Sequence, residues 1–303
     1  MIKLILFLAT LEAKLKDKKY VEKSFDELQK ERIKRAKYAP SPTTGGKLKA
    51  GFYNIGKIAK NAYDSTVGNI TSMSQNRKTE KYFTAHPKSH KRIRYLKPGV
   101  FQPRGAQAPL GKQILKSGDF PIHLKGNHHL KREENVERTI DDIEGVQKRT
   151  KLYKPSERND SYRGHSSGAD VGIYMAGDKR TKKLGIKQVQ AVAPAPGGVE
   201  AKTLGQRLLI PLVSEDNLKG YIGRKNAVEL NKRKPVVPVH VISGKYDNLV
   251  PPSQATYKHA KKHYVINDID STHFGTAGGN KKMNQISIDL MKKHDKKYHK
   301  KAA

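Results

Sequence analysis

From Gly99 onward, short apolar runs alternate with longer segments whose apolar residues recur at helical spacing, and few folds accept that pattern. Val100–Pro103, Phe120–Leu124, Ile186–Ala193, Val236–Ser243 and Tyr264–Ile266 read as strands. Between them, Leu110–Lys116 reads as a helix ending at Gly118. Glu133–Arg149 reads as another, with Val136, Ile140, Ile143 and Val146 on one face, and Ile286, Leu290 and Met291 mark a closing helix. Such alternation predicts an α/β chain: a mainly parallel sheet joined by right-handed crossovers, with helices on both faces. In sheets of this kind chemistry gathers at the carboxyl ends of the strands.

The first 98 residues carry less information. Leu4, Leu8, Leu11 and Leu15 form one apolar face, and Ser24 with Glu27 has the form of a capping box ahead of Phe25, Leu28 and Ile33. Residues 1–38 therefore read as helical. Pro40–Gly46 reads as a linker, and Phe52, Ile55, Ile58 and Ala59 as a short amphipathic helix. Thr79–Ala85 and Arg92–Leu96 are strand candidates. The resulting division is a basic helical extension with its linker over residues 1–60 and one α/β domain over 61–303.

Composition narrows the chemistry. The chain has 303 residues and no cysteine, which removes disulfides, thiolate nucleophiles and zinc–thiolate sites and fits a reducing, cytoplasmic setting. Only Lys3 precedes the core of the apolar run Ile2–Ala9, and no small-x-small cleavage site follows before Glu12 and Lys14. No run reaches the ~18 to 20 apolar residues of a membrane span. Sixty-one Lys+Arg against 28 Asp+Glu give a formal charge of +33, enough to hold nucleic acid or other polyanions near the surface. The lysines are spread evenly, however, and the aromatic-and-basic patterns of common nucleic-acid modules are missing.

Three stretches carry chemistry. Gly164-His165-Ser166-Ser167-Gly168 places a serine between a short extended run and a helix-competent segment, Ala169–Ala176. A sharp strand-to-helix turn lifts a hydroxyl clear of its neighbours, and flanking glycines let backbone crowd where a Cβ would clash. The amide of Ser167 then lies at a helix N-terminus, free to receive a developing oxyanion. Further on, Gly244-Lys245-Tyr246-Asp247 follows the most apolar strand and precedes Pro251 and Pro252, which suit the first turn of a helix. Finally, Asp270-Ser271-Thr272-His273-Phe274-Gly275 sets a histidine after the last strand.

Over roughly Gly99 to His294 these features resemble the α/β-hydrolase superfamily, whose members carry serine, acid and histidine in that order. The resemblance implies Ser166 as nucleophile, His273 as the base that takes its proton, and Asp247 as the group that orients the imidazole. It implies one oxyanion donor at Ser167 and a second in the loop after the third strand, here Arg104-Gly105-Ala106-Gln107, with Ala106 the choice and Gln107 next. The implied activity is hydrolysis of an ester, thioester or amide through an acyl-enzyme, with a small-molecule acyl substrate and neither metal nor organic cofactor. Residues 196–235 fall where this superfamily inserts its lid.

The run before Ser166 departs from the family's pattern. It reads Asn159-Asp160-Ser161-Tyr162-Arg163 instead of a continuous apolar stretch, and a buried Arg163 needs a partner. Either the site handles an anionic substrate near Arg104 and Arg163, or the sheet is eroded and catalysis is weak. His165 is expected to pack or hydrogen-bond beneath the turn. His123, His128 and His129 lack a neighbouring acidic pair, so no metal site is expected. Two other readings stand beside the hydrolase: a catalytically silent or non-hydrolytic relative, and a basic nucleic-acid-binding protein on the same scaffold.

Overall fold

The computed structural model describes residues 20–28, 30, 67–100, 102–126, 130–196, 230–247, 249–267, 271–273, 275–279 and 281–302. Among the described residues seven strands form one sheet: β1 (Tyr20–Lys23), β2 (Ile93–Lys97), β3 (Phe120–His123), β4 (Asp160–His165), β5 (Ile186–Val192), β6 (Val239–Gly244) and β7 (Lys262–Ile266). Their spatial order is β1-β7-β6-β5-β4-β2-β3. Every pairing is parallel except β1 with β7. The predicted α/β architecture is what the chain adopts.

Five helices matter for the site: α1 (67–85), α2 (Ala108–Lys116), α3 (Arg132–Arg149), α4 (Ser167–Ala176) and α5 (Lys281–Ala302). The apolar face predicted for α3 packs into the main core, where Val136, Ile140, Ile143 and Val146 meet Ile93, Tyr95, Tyr162, Val189 and the buried residues of α4. On the opposite face Leu110 and Ile114 of α2 meet Leu96 and Ile288, while Met283, Ile286 and Leu290 cover Ile242 and Tyr264. Both faces are covered, as a parallel sheet requires.

Local expectations failed in four places. Thr79–Ala85 lies within α1, because Phe83 packs into the core at helical spacing while Tyr82 stacks on Phe120. α1 also covers the open edge of β3. The Asn76 side chain exchanges hydrogen bonds with the backbone of His123, and Thr79 donates to the Pro121 carbonyl. Tyr20–Lys23 is a strand within a segment that reads as helical, because β7 offers it a free edge. The capping box at Ser24 and Glu27 forms immediately after it, with both reciprocal bonds made. Of the strand expected at Val100–Pro103, the described residues Val100, Gln102 and Pro103 form none; β2 ends at Lys97 and Val100 lies in a turn. The helix expected from Pro251 is a turn.

The N-terminal leucine face, the linker, the helix expected around Phe52–Ala59 and most of the expected lid lie outside the described residues. His128 and His129 do too. Among the described residues, no helix is long and apolar enough to cross a membrane.

Candidate active site

The strand order reverses at β2: the chain goes outward to β3, then returns to the other side of β2 for β4. The carboxyl ends of β2 and β4 therefore border a crevice, the usual place for a ligand in an open α/β sheet. Ser166 stands at the end of β4. Its backbone has φ 53° and ψ −124°, a left-handed conformation that a serine adopts only when its surroundings impose it.

Those surroundings are the motif's glycines. A Cβ on Gly164 would lie 2.0 Å from the Gly168 carbonyl oxygen, and one on Gly168 would lie 2.5 Å from that of Pro98. The Ser166 amide donates to the Val192 carbonyl at 2.8 Å, and its own carbonyl accepts from Ala169, starting α4. The result is a half-buried serine on a sharp turn, above a helix whose first amide, that of Ser167, points out of the N-terminus.

Asp247 follows β6 and His273 follows β7. Asp247 Oδ2 lies 2.9 Å from His273 Nδ1, and both residues are buried. The other carboxylate oxygen accepts from the amides of Leu249 and Val250, at 3.0 and 2.8 Å. Asp247 thus caps its own turn and holds the imidazole at once. With Nδ1 donating to Asp247, the carboxylate sets the tautomer of the ring. Among the described residues no hydrogen bond joins the Ser166 hydroxyl to the His273 ring.

His165 bridges the two sides of the crevice from below. Its Nδ1 lies 3.0 Å from Gln102 Oε1, and its Nε2 lies 2.9 Å from the His273 carbonyl oxygen and 2.8 Å from the Thr276 hydroxyl. Complete burial holds its pKa well below the ordinary histidine value, with the neighbouring His273 and Arg163 acting in the same sense. A hydrogen-bonded ring beneath the turn is what the sequence led one to expect of this position.

The loop after β2 differs from expectation. Gly99 is the residue that presses on the serine: a Cβ there would lie 2.6 Å from Ser166 Cβ. Its amide donates to Gln102 Oε1. Ala106 lies on the 3₁₀ turn Arg104–Gln107, and its amide donates to the Pro103 carbonyl at 2.9 Å. The overlooked signal was Pro98-Gly99, a breaker pair directly after a strand candidate.

Arg163 is fully buried, with its guanidinium spent on Gln107, Thr276 and Ser287. Burial pushes its pKa down to about 9. It therefore presents no charge to a substrate, leaving Arg104, half-buried, as the remaining cation of the pair named from sequence. Asp170, on the first turn of α4, is also fully buried. One oxygen accepts from the Ala195 amide, and burial raises its pKa to about 7 against the pull of Arg132. His123 is buried against Gln75, at 2.6 Å, with its pKa pushed down to about 3 by burial. That contact ties α1 to β3.

A serine on a strained strand-to-helix turn thus shares one rim of a mainly parallel α/β sheet with an acid after β6 that is bonded to a histidine after β7. Solved structures similar to this chain include a monoacylglycerol lipase from Paleococcus ferrophilus (TM-score 0.48, 15% identity, 67% of this chain and 94% of that one). A hydrolase from Oleispira antarctica gives a TM-score of 0.49 at 13% identity, covering 68% and 92%. The enol-lactonase from Burkholderia xenovorans gives 0.46 at 15% identity, covering 67% and 92%. No protein-family model and no curated protein matches the sequence.

Proposed function

We propose that the protein is a serine hydrolase of ester, thioester or amide bonds. The observation that carries this reading is the Asp247–His273 hydrogen bond on the same sheet rim as the strained Ser166. A carboxylate that fixes one imidazole nitrogen gives the other a defined tautomer, and that is the requirement for deprotonating a serine.

In this scheme Ser166 Oγ attacks the acyl carbon while its proton passes to His273 Nε2. The carbonyl electron pair moves onto oxygen, which the amides of Ser167 and Val100 receive. Val100 replaces Ala106 as second donor in this reading, because it follows the glycine packed against Ser166 while the Ala106 amide already has an acceptor. The tetrahedral intermediate collapses, the bond to the leaving group breaks, and His273 protonates that group. Water then gives a proton to His273 and its oxygen to the acyl carbon; collapse frees the acid and returns the proton to Ser166. The cycle uses no metal or organic cofactor.

The test is labelling with a fluorophosphonate probe. The wild type is expected to label and Ser166→Ala to be silent. A folded wild type that takes up no label and cleaves no p-nitrophenyl ester across a series of chain lengths removes the proposal.

A further inference from the structure

We infer that Arg163 is a positioning residue that locks the histidine-bearing loop and the loop after β2 against the serine turn; this rests on the hydrolase reading above. Two fully buried arginines lie on neighbouring central strands, and they are treated differently. Arg94 on β2 is neutralised by Asp119 and Asp295, at 2.6 and 2.8 Å. Arg163 on β4, three residues before Ser166, has no carboxylate partner among the described residues. Its donors go to three neutral oxygens: Gln107 Oε1, the Thr276 carbonyl at 3.0 Å and the Ser287 hydroxyl at 3.3 Å.

Each acceptor belongs to a different segment. Gln107 ends the turn that follows the β2 loop, and its amide in turn donates to the Lys97 carbonyl at 2.7 Å. Thr276 lies three residues beyond His273, and its hydroxyl donates back to the His273 carbonyl at 2.6 Å. Ser287 lies on α5, whose polar seam also takes the amides of Gln188 and Gln190 at the carbonyls of Met291 and Ser287. The guanidinium fork is planar and rigid, so acceptors bonded to different edges are held in fixed relation to one another. A buried cation without a counter-ion is costly, and an apolar side chain would fill this space at lower cost. What the arginine adds is geometry: the segments carrying His273 and the β2 loop are tied to the strand that ends in Ser166.

The decisive variants are Arg163→Lys, which keeps the charge but loses the fork, and Thr276→Val, which removes the hydroxyl's contacts with the His273 carbonyl and His165 Nε2 but keeps the carbonyl that Arg163 uses. In both, fluorophosphonate inactivation is expected to slow by about 10- to 100-fold with the probe's apparent binding constant little changed, as expected for misplaced catalytic groups. Amide hydrogen exchange should rise in residues 271–279 of both variants and in 98–107 of Arg163→Lys, while β5 and β6 keep wild-type protection. Wild-type inactivation and exchange in Arg163→Lys would overturn the inference, because charge alone would then suffice. A rise in exchange across the whole sheet would overturn it too, leaving Arg163 as a general stabiliser. If the wild type takes no label, the hydrolase reading fails, and the exchange measurement alone decides whether Arg163 holds the two loops.

Discussion

A methyl group on Gly164 would sit 2.0 Å from the carbonyl oxygen of Gly168, so the strand and helix flanking the serine touch backbone to backbone. Neither segment can retreat, since Gly168 is itself against Pro98. Gly164→Ala is therefore expected to lose about 3 kcal/mol of stability, or to fold with the turn displaced and the serine unreactive. Urea denaturation combined with probe labelling distinguishes these from a neutral change, which would mean the contact is looser than described.

Asp247 has two jobs, and substitutions separate them. Asp247→Asn keeps an oxygen for the amides of Leu249 and Val250 but leaves His273 Nδ1 facing an amide that favours the wrong tautomer. Turnover should fall by roughly 10⁴-fold with stability nearly intact. Asp247→Ala should lose activity and also about 1–2 kcal/mol of stability, because two amides lose their acceptor. Equal stability of the two variants would contradict the capping role.

Lys97 ends β2 with its ammonium buried and, among the described residues, without a hydrogen-bond partner. Burial lowers its pKa from 10.5 to about 8, partly resisted by Asp142. Because the folded value lies below the unfolded one, the charge is a burden below pH 8 that disappears as pH rises towards 10.5. Lys97→Met should therefore be more stable than the wild type by about 3 kcal/mol at neutral pH. That advantage should shrink between pH 8 and 10.5. A pH-independent difference in melting temperature would refute the assignment.

Asp170 gives the opposite dependence. Its folded pKa is raised from 3.8 to about 7, so ionisation opposes folding as pH climbs through that interval. Relative to Asp170→Asn, which still accepts from the Ala195 amide, the wild type should lose up to about 4 kcal/mol between pH 4 and pH 7. Chemical denaturation at the two ends of the range measures this. Parallel stability curves would show the carboxyl to be ionised throughout.

How much of this was legible beforehand depends on where each residue's partners lie. The α3 stripe, the serine turn and the order Ser166, Asp247, His273 are local patterns, and the sequence shows them directly. Strand β4 is the opposite case. Asp160, Ser161 and Arg163 look unfit for the centre of a sheet, yet all six residues of the strand are buried. Asp160 accepts from the Ile93 amide, 67 positions away, and Arg163 depends on Ser287, 124 positions away. No window of sequence displays those partners together. β1 was missed for a related reason: four residues become a strand only because a distant one offers its edge. Thr79–Ala85 reads as a strand when taken alone, whereas over the whole of α1 burial repeats at helical spacing through Ser72, Gln75, Thr79 and Phe83.

That edge strand has an implication for how the molecule is made. Lys262 on β7 reaches Glu22 on β1 across 240 positions, so this seam joins two strands with the rest of the sheet's chain between them. It can close only after β7 has been synthesised, long after β1. Until then the backbone ladders of both strands are uncovered and open to pairing with other molecules. A lysine-rich coat, which repels like chains, opposes such pairing.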